Sequence, residues 1–414
     1  MGSLFFYAWG EAANLPILLL SVLCNYFLGL HLGQGRKSTH KKRCILIVGL
    51  MANLVSLILF KAGVGDAGLP LGISFYTFQM MAYLIDTYRG ENKRERSLLK
   101  FATYICMFPQ LTAGPIVRYG EVRDALAERK ITPEQIQDGL GTFVMGLSYK
   151  VLLADRIGIL WHEVQVTGFE SISTPLAWVA AIAYSMKIYF DFYGYSLMAI
   201  GLGRMLGFSL PENFQTPYMA RSVRDFYRRW HMTLGRWFCN YVYIPLGGNR
   251  RGELRTIGNL LVVWLLTAVW HGGTLNFLIW GGLLVACIIV ERLIGRISFV
   301  KRLKILPHLY LWTVIPITWM CFANTELSQL GLYLGKMFGM DGAMPGISGD
   351  WVKALWNYRY LFAVGAVCCT DVVHKIYVKG KNTLMGKLLL AVLLWWCVER
   401  LLEAGNNPFL YFSF

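Results

Sequence analysis

Apolar runs, each approaching the roughly 20 residues that carry a helix across a bilayer, recur along the whole chain. They lie at Leu15–Leu32, 44–60, 69–88, 308–322, 358–373 and 388–402. No local motif constrains the fold as strongly. A bilayer interior offers no water to backbone groups, so a crossing segment must close its hydrogen bonds on itself as a helix or around a closed barrel. Runs of this length exceed a barrel strand and read as helices. Of 414 residues, 56% are hydrophobic and only 15% are charged, and no stretch is polar enough for a separate soluble domain. The expectation is an all-α, polytopic integral membrane protein with about nine to eleven transmembrane helices, in one domain over residues 1–414.

A net charge of +16 would suggest a nucleic-acid partner in a soluble protein, but here the basic residues fall in short loops between apolar runs, where they act as orientation signals. No nucleic acid is expected. The basic clusters are 36–43, 89–100, 221–255, 292–304 and 375–387, whereas the loop 323–357 holds only Lys336 and Lys353. Assigned to the cytoplasm, these clusters must be separated by even numbers of crossings. The runs 44–60 and 69–88 supply two, and 308–322 and 358–373 supply two more. The final run then leads outward. The 409–414 tail reads as an aromatic anchor at the outer interface, so the C-terminus is expected to be extracytoplasmic. The first run lacks a preceding basic flank and a following small-residue cleavage site, so it reads as a retained span. Cysteines such as Cys24, Cys106, Cys287, Cys321 and Cys397 lie in apolar runs without CxxC spacing, as small buried hydrophobes do.

The middle of the chain is irregular. Phe108-Pro109 to Gly114-Pro115 interrupts the apolar run 101–117, and broken backbone in a bilayer is tolerated only inside protein or beside water. That segment reads as re-entrant. Thr132-Pro133-Glu134-Gln135 has capping-box spacing, predicting a helix through Lys150 to Asp155. A further helix runs from Thr174 to about Leu206, carrying Lys187 and Asp191 four apart on one face, the spacing of a buried ion pair. Within 223–241, Val223, Phe226, Tyr227, Trp230, Leu234, Trp237 and Phe238 recur at helical spacing opposite Arg221, Arg228, Arg229 and Arg236. That pattern predicts one amphipathic helix at the cytoplasmic headgroups, with His231 at the edge of its apolar stripe.

The run 258–290 would measure about 50 Å as one helix, against a hydrocarbon core of about 30 Å. It must tilt, break or turn, and Gly272-Gly273 is the expected break. Either the helix is discontinuous there, with His271 open to water, or a tight turn joins two short spans, with His271 nearer an interface. An ionisable group beside eleven uncharged residues, 260–270, is a functional candidate by default. The other histidines read more simply. His31, His40 and His374 flank basic loops, and His162 and His308 sit near span ends; no ligand spacing links them, so no metal site is expected. Gly201, Gly203 and Gly207 miss dinucleotide-binding spacing and read as close helix packing.

Taken together, Pro211-Glu212-Asn213-Phe214, Asp225-Phe226-Tyr227-Arg228-Arg229-Trp230-His231, Pro245-Leu246-Gly247-Gly248-Asn249-Arg250 and Trp270-His271-Gly272 resemble the membrane-bound O-acyltransferase family. The likeness extends upstream through Leu69 to Tyr76, Ala113 to Ile116 and Tyr189 to Ser196, and downstream to Tyr411-Phe412. Within that family the chain is most similar to the bacterial alginate O-acetyltransferase membrane subunit, and more distantly to the subunit that helps D-alanylate teichoic acids. The resemblance implies re-entrant and interfacial helices around a central tunnel, with the family's Trp-His-Gly histidine, here His271, inside it. It carries over His271, His231 and Asn213 as candidates. The candidate catalytic residues are then His271 and His231, and the candidate substrate-binding residues are Asn213, Trp270, Arg228, Arg229, Trp230, Asp191 and Tyr195. Two departures stand out. Tyr193 and Leu197 occupy positions where the alginate-type pattern usually has serine and aspartate. Residues 3–7 match a point after the first hydrophobic segment of close relatives, implying either a missing span or a misassigned start.

Moving an acyl group from a thioester to a hydroxyl needs a base for the hydroxyl proton, a task suited to histidine near neutral pH. The expected cosubstrate is acetyl-CoA, with no bound cofactor. Arg228, Arg229 and Arg236 or Arg250 would lie near its phosphates, and Asn213 or Trp270 would orient the acyl group or its oxyanion. The expected partners are membrane lipid, an extracytoplasmic transferase and a polysaccharide acceptor, in a bacterial inner membrane. A D-alanyl donor on a carrier-protein thioester is the alternative within the same chemistry. A transporter or flippase is the alternative outside it, separable by release of free coenzyme A thiol.

Overall fold

The computed structural model describes residues 2–33, 38–63, 68–112, 114–294, 305–340 and 347–404. The expected aromatic tail 409–414, and much of the basic loop 292–304, lie outside these residues, as does Ala113. Every regular element among the described residues is helical, as the apolar runs demand. By length and composition, Gly2–Leu32, Thr39–Lys61, Glu253–His271, Leu275–Ile294 and Leu306–Ala323 are fit to cross a membrane. Asp350–Cys368 and Val372–Gly380 qualify together but bend by 74° at their junction. Their faces tell the same story as their composition. On Glu253–His271, Leu261, Val262, Leu265, Leu266 and Val269 are exposed while Asn259, Trp264, Thr267 and Ala268 are buried, the division expected of a helix with lipid on one side and protein on the other. Cys24 belongs to such an outer face and is exposed, unlike Cys106, Cys321 and Cys397.

Local signals set several boundaries. Thr132 and Gln135 form the expected reciprocal cap, with Gln135 N–H to Thr132 Oγ1 at 3.3 Å and Thr132 N–H to Gln135 Oε1 at 3.1 Å. The helix they open runs past its expected end, through a π-helical segment Tyr149–Ala154 into Asp155–Thr167. Thr174–Met205 matches its expectation. The 101–117 run breaks at Met107 between Leu98–Cys106 and Phe108–Leu111, and residues 114–118 are irregular.

The expected single helix over 223–241 is corrected. It divides into Val223–Arg229 and Met232–Phe238, followed by a π turn Cys239–Tyr243. The interruption is His231, whose φ of 45° lies in the left-handed region that a non-glycine residue occupies only under external constraint. His231 is also buried rather than at an amphipathic edge. The 258–290 run takes the second of its two open readings. Glu253–His271 and Leu275–Ile294 form a hairpin with three residues between them. Gly273, at φ 72°, makes that turn, and its N–H returns to the Ala268 carbonyl at 3.1 Å.

The described residues group into two compact units. The first, Met1–Phe143, Ser196–Glu212 and Arg236–Tyr241, has a tyrosine-rich core in which Tyr83, Phe101, Tyr104 and Tyr119 meet at ring distances between 4.7 and 6.3 Å. In it a Cβ on Gly201 would come within 2.6 Å of Phe143 N, so the glycine permits close helix approach, as its sequence setting suggests. The second, Val144–Tyr195, Asn213–Gly235 and Val242–Phe414, holds both candidate histidines.

Candidate active site

His271 is the last residue of Glu253–His271 and is half-buried, with Gly272 to Leu275 exposed beside it. Its ring is not sealed off. Trp270, Trp280 and Phe322 present edge-to-face geometry at 4.7, 5.2 and 5.1 Å, and Phe277 stacks at 5.9 Å. Phe277 and Trp280 come from the second arm of the hairpin, and Phe322 from Leu306–Ala323. Three helices therefore fix one imidazole. The hairpin closes tightly because Gly281 faces Trp264, where a Cβ would lie 3.1 Å from the backbone oxygen.

Trp270 connects this histidine to the other, its ring centroid 6.1 Å from that of His231. His231 packs edge-on against Phe192 at 4.8 Å, and its Nδ1 lies 3.0 Å from Asn213 Oδ1. The same oxygen accepts Thr233 N–H at 3.2 Å and Thr233 Oγ1–H at 2.9 Å, while the Asn213 backbone carbonyl accepts Met232 N–H at 2.9 Å. Asn213 thus holds 231–233 in the strained turn. Burial pushes the His231 imidazole down to about 3, because a desolvated ring disfavours the charged form.

Trp230 joins the cluster through the rings of Phe226, Phe214, Tyr189 and Trp319, at 5.5, 5.0, 6.0 and 4.9 Å. His271, Trp270, His231, Asn213 and Trp230 are therefore brought together. The arginines are arranged differently. Arg228 is exposed, Arg229 pairs with Asp225 at 3.1 Å, and Arg236 pairs with Glu121 at 2.8 Å.

Asp191 faces a separate buried charge cluster. Its carboxylate meets Lys150 at 3.4 Å, and Lys150 also bonds Asp155. Lys187, the expected partner, lies within reach of the Asp191 charge and lays its aliphatic chain against Gly158. Phe192 and Tyr189 share the Thr174–Met205 helix with Asp191 but pack on His231 and Trp230, so two faces of one helix serve two clusters. Tyr195 is half-buried one turn beyond Asp191.

Sequence reasoning missed Thr233, Phe192, Trp280, Phe322 and Lys150. It also missed Glu291, whose carboxylate accepts Val223 N–H at 2.5 Å and Arg224 N–H at 3.2 Å, capping the short helix that leads to His231. His31, His40, His162 and His374 are exposed, matching their reading as peripheral. Among the described residues no group of three or more His, Cys, Asp or Glu could hold a metal ion.

These motifs match known proteins over most of the chain. The sequence profile of the membrane-bound O-acyltransferase family (MBOAT) covers residues 91–332, which include both histidines and Asn213. The probable alginate O-acetylase AlgI of Pseudomonas fluorescens is 34% identical over 343 residues, covering 82% of this chain and 69% of that protein. The peptidoglycan O-acetyltransferase of Helicobacter pylori is 35% identical, covering 83% of this chain and 73% of that protein. The teichoic acid D-alanyltransferase of Bacillus subtilis is 30% identical over 51% of this chain and 56% of its own length. With helices fit to cross a membrane and this extent of likeness, the chain belongs to the membrane-bound O-acyltransferase family and is a multi-pass membrane enzyme that transfers acyl groups to oxygen.

Proposed function

We propose that the enzyme moves an acetyl group from cytoplasmic acetyl-CoA across a bacterial inner membrane to a hydroxyl of an extracytoplasmic polysaccharide or of a partner transferase. The observation that carries this reading is His271, half-exposed at a helix end and walled by Trp270, Trp280, Phe277 and Phe322. The imidazole takes the acceptor hydroxyl proton as the oxygen attacks the thioester carbonyl. When the tetrahedral intermediate collapses, the carbon–sulfur bond breaks and the same proton passes to the sulfur, releasing free coenzyme A and restoring the ring. Trp270, between the two imidazoles, lines the acyl position. Arg228, exposed on its short helix, and Arg250, exposed beyond it, suit the cosubstrate phosphates. Asp191 and Tyr195 remain candidates for the acceptor side. The C-terminus faces outward by the parity of the basic loops.

The test supplies labelled acetyl-CoA to proteoliposomes and follows label into extracytoplasmic acceptor and thiol into solution. Wild type transfers label and releases thiol; His271→Ala, expressed and folded normally, does neither. Persisting transfer in that variant refutes the assignment. A second reading, D-alanyl transfer from a carrier-protein thioester, is favoured by the match to the Bacillus subtilis D-alanyltransferase. A labelled D-alanyl carrier run in parallel separates the two donors.

A further inference from the structure

We propose that Asn213 is a positioning residue that holds His231 in its Nδ1-protonated tautomer, making Nε2 of that ring a fixed hydrogen-bond acceptor within the acyl-transfer site. The proposal rests on the reading of that site as the acyl-transfer centre.

Thr233 fixes the orientation of the Asn213 amide. Its backbone N–H can only donate, and it lies 3.2 Å from a terminal atom of the Asn213 side chain. That atom must be the carboxamide oxygen, since the amide nitrogen would set donor against donor. The Thr233 hydroxyl approaches the same atom at 2.9 Å, as an oxygen acceptor allows. Once the amide orientation is fixed, His231 Nδ1, 3.0 Å from that oxygen, has to carry a hydrogen. A neutral imidazole holds one ring hydrogen, so Nε2 keeps its lone pair.

Neutrality follows from the surroundings. His231 is 4% exposed and enclosed by the rings of Phe192 and Trp270, an environment that penalises the imidazolium. The backbone supports the same geometry. A φ of 45° at His231 places the ring against Asn213, and the Met232 N–H bond to the Asn213 carbonyl at 2.9 Å keeps the turn closed. One asparagine thus sets where His231 sits and which nitrogen is bare. In the transfer reaction Nε2 receives a hydrogen bond from a hydroxyl or thiol and supplies none.

The experiment labels histidine with nitrogen-15 in protein reconstituted in lipid nanodiscs and reads the ring nitrogens by NMR. His231→Asn, which tolerates the left-handed backbone, identifies the His231 signals by their loss. Wild type is expected to show protonated Nδ1 and bare Nε2 at His231. Asn213→Leu should lose that pattern and slow thiol release from acetyl-CoA by about 100-fold, the order associated with misplacing a reacting group, with KM little changed. Asn213→Asp, whose carboxylate still accepts from Thr233 and His231, should keep protonated Nδ1 and recover most of the turnover lost in Asn213→Leu. Protonated Nε2 in wild type overturns the proposal, as does an Asn213→Leu variant that keeps the tautomer or turns over at the wild-type rate. The tautomer is read without turnover, so that arm stands or falls independently of the acetyl-CoA reading.

Discussion

Glu291 accepts the backbone N–H of Val223 at 2.5 Å, fastening the start of the Val223–Arg229 helix to the second arm of the His271 hairpin. The same helix packs Tyr227 against Trp264 at 4.8 Å, and Trp230, just past its end, packs against Trp319 at 4.9 Å. The helix ends at Arg229, two residues before His231, so Glu291 ties the segment that leads to one histidine to the hairpin that carries the other. A hydrogen bond to a charged group contributes about 1.5–3 kcal/mol. Glu291→Ala should lower the unfolding temperature in detergent and reduce turnover, whereas Glu291→Gln, with one acceptor left, should lie between. Equal thermal stability of Glu291→Ala and wild type would show that the cap is inert.

His271→Ala and His271→Gln should both depress thiol release from acetyl-CoA by about 10²–10⁴-fold, the usual worth of a positioned base, with unchanged yield and size-exclusion profile. Gln preserves volume and polarity but cannot take the proton, so a Gln variant near wild-type activity would assign the ring a binding role instead.

The His231 ring, pushed down to about 3 by burial from an ordinary 6.5, makes stability depend on pH with a definite sign. The unfolded chain binds a proton below about pH 6.5 that the folded protein refuses. Its stabilising contribution is therefore complete above that value and falls as pH drops toward the folded value, by about 1.4 kcal/mol per unit. Thermal unfolding at pH 7 and pH 5.5 should show a smaller loss for His231→Asn than for wild type. Identical slopes would mean that the ring is protonated in the folded state.

Lys150 is the shared cation of Asp191 and Asp155. Lys150→Met leaves Asp191, 3% exposed, without that partner, and removing one member of a buried pair costs about 3–5 kcal/mol. Lys150→Met combined with Asp191→Leu should recover most of the loss, measured as detergent unfolding temperature. Failure to recover would place the essential bond at Asp155.

Much of the fold is legible in the residues themselves. The break at Gly272-Gly273, the Thr132–Gln135 cap and the long Thr174–Met205 helix all follow from local chemistry. The interruption at His231 does not. Periodicity runs through it smoothly, and the left-handed turn is held by bonds from a segment about eighteen residues earlier, Asn213 to His231 and Gln215 N–H to the Arg229 carbonyl. Asp191 is legible only in part, since Lys187 satisfies helical spacing and feels its charge while the salt bridge at 3.4 Å, to Lys150, comes from another helix. Phe192, Trp280 and Phe322 are invisible as site residues because an aromatic inside an apolar run looks like any other membrane residue.

The helix that ends in His271 turns Leu261, Val262, Leu265, Leu266 and Val269 outward while its last residues line the site. The His271 imidazole is thus mounted on a helix with one face turned outward, and whatever tilts that helix moves the ring. Shortening or lengthening the acyl chains of the surrounding phospholipids imposes hydrophobic mismatch on such a helix. Turnover should accordingly be tuned by the membrane in which the enzyme sits as well as by its substrates.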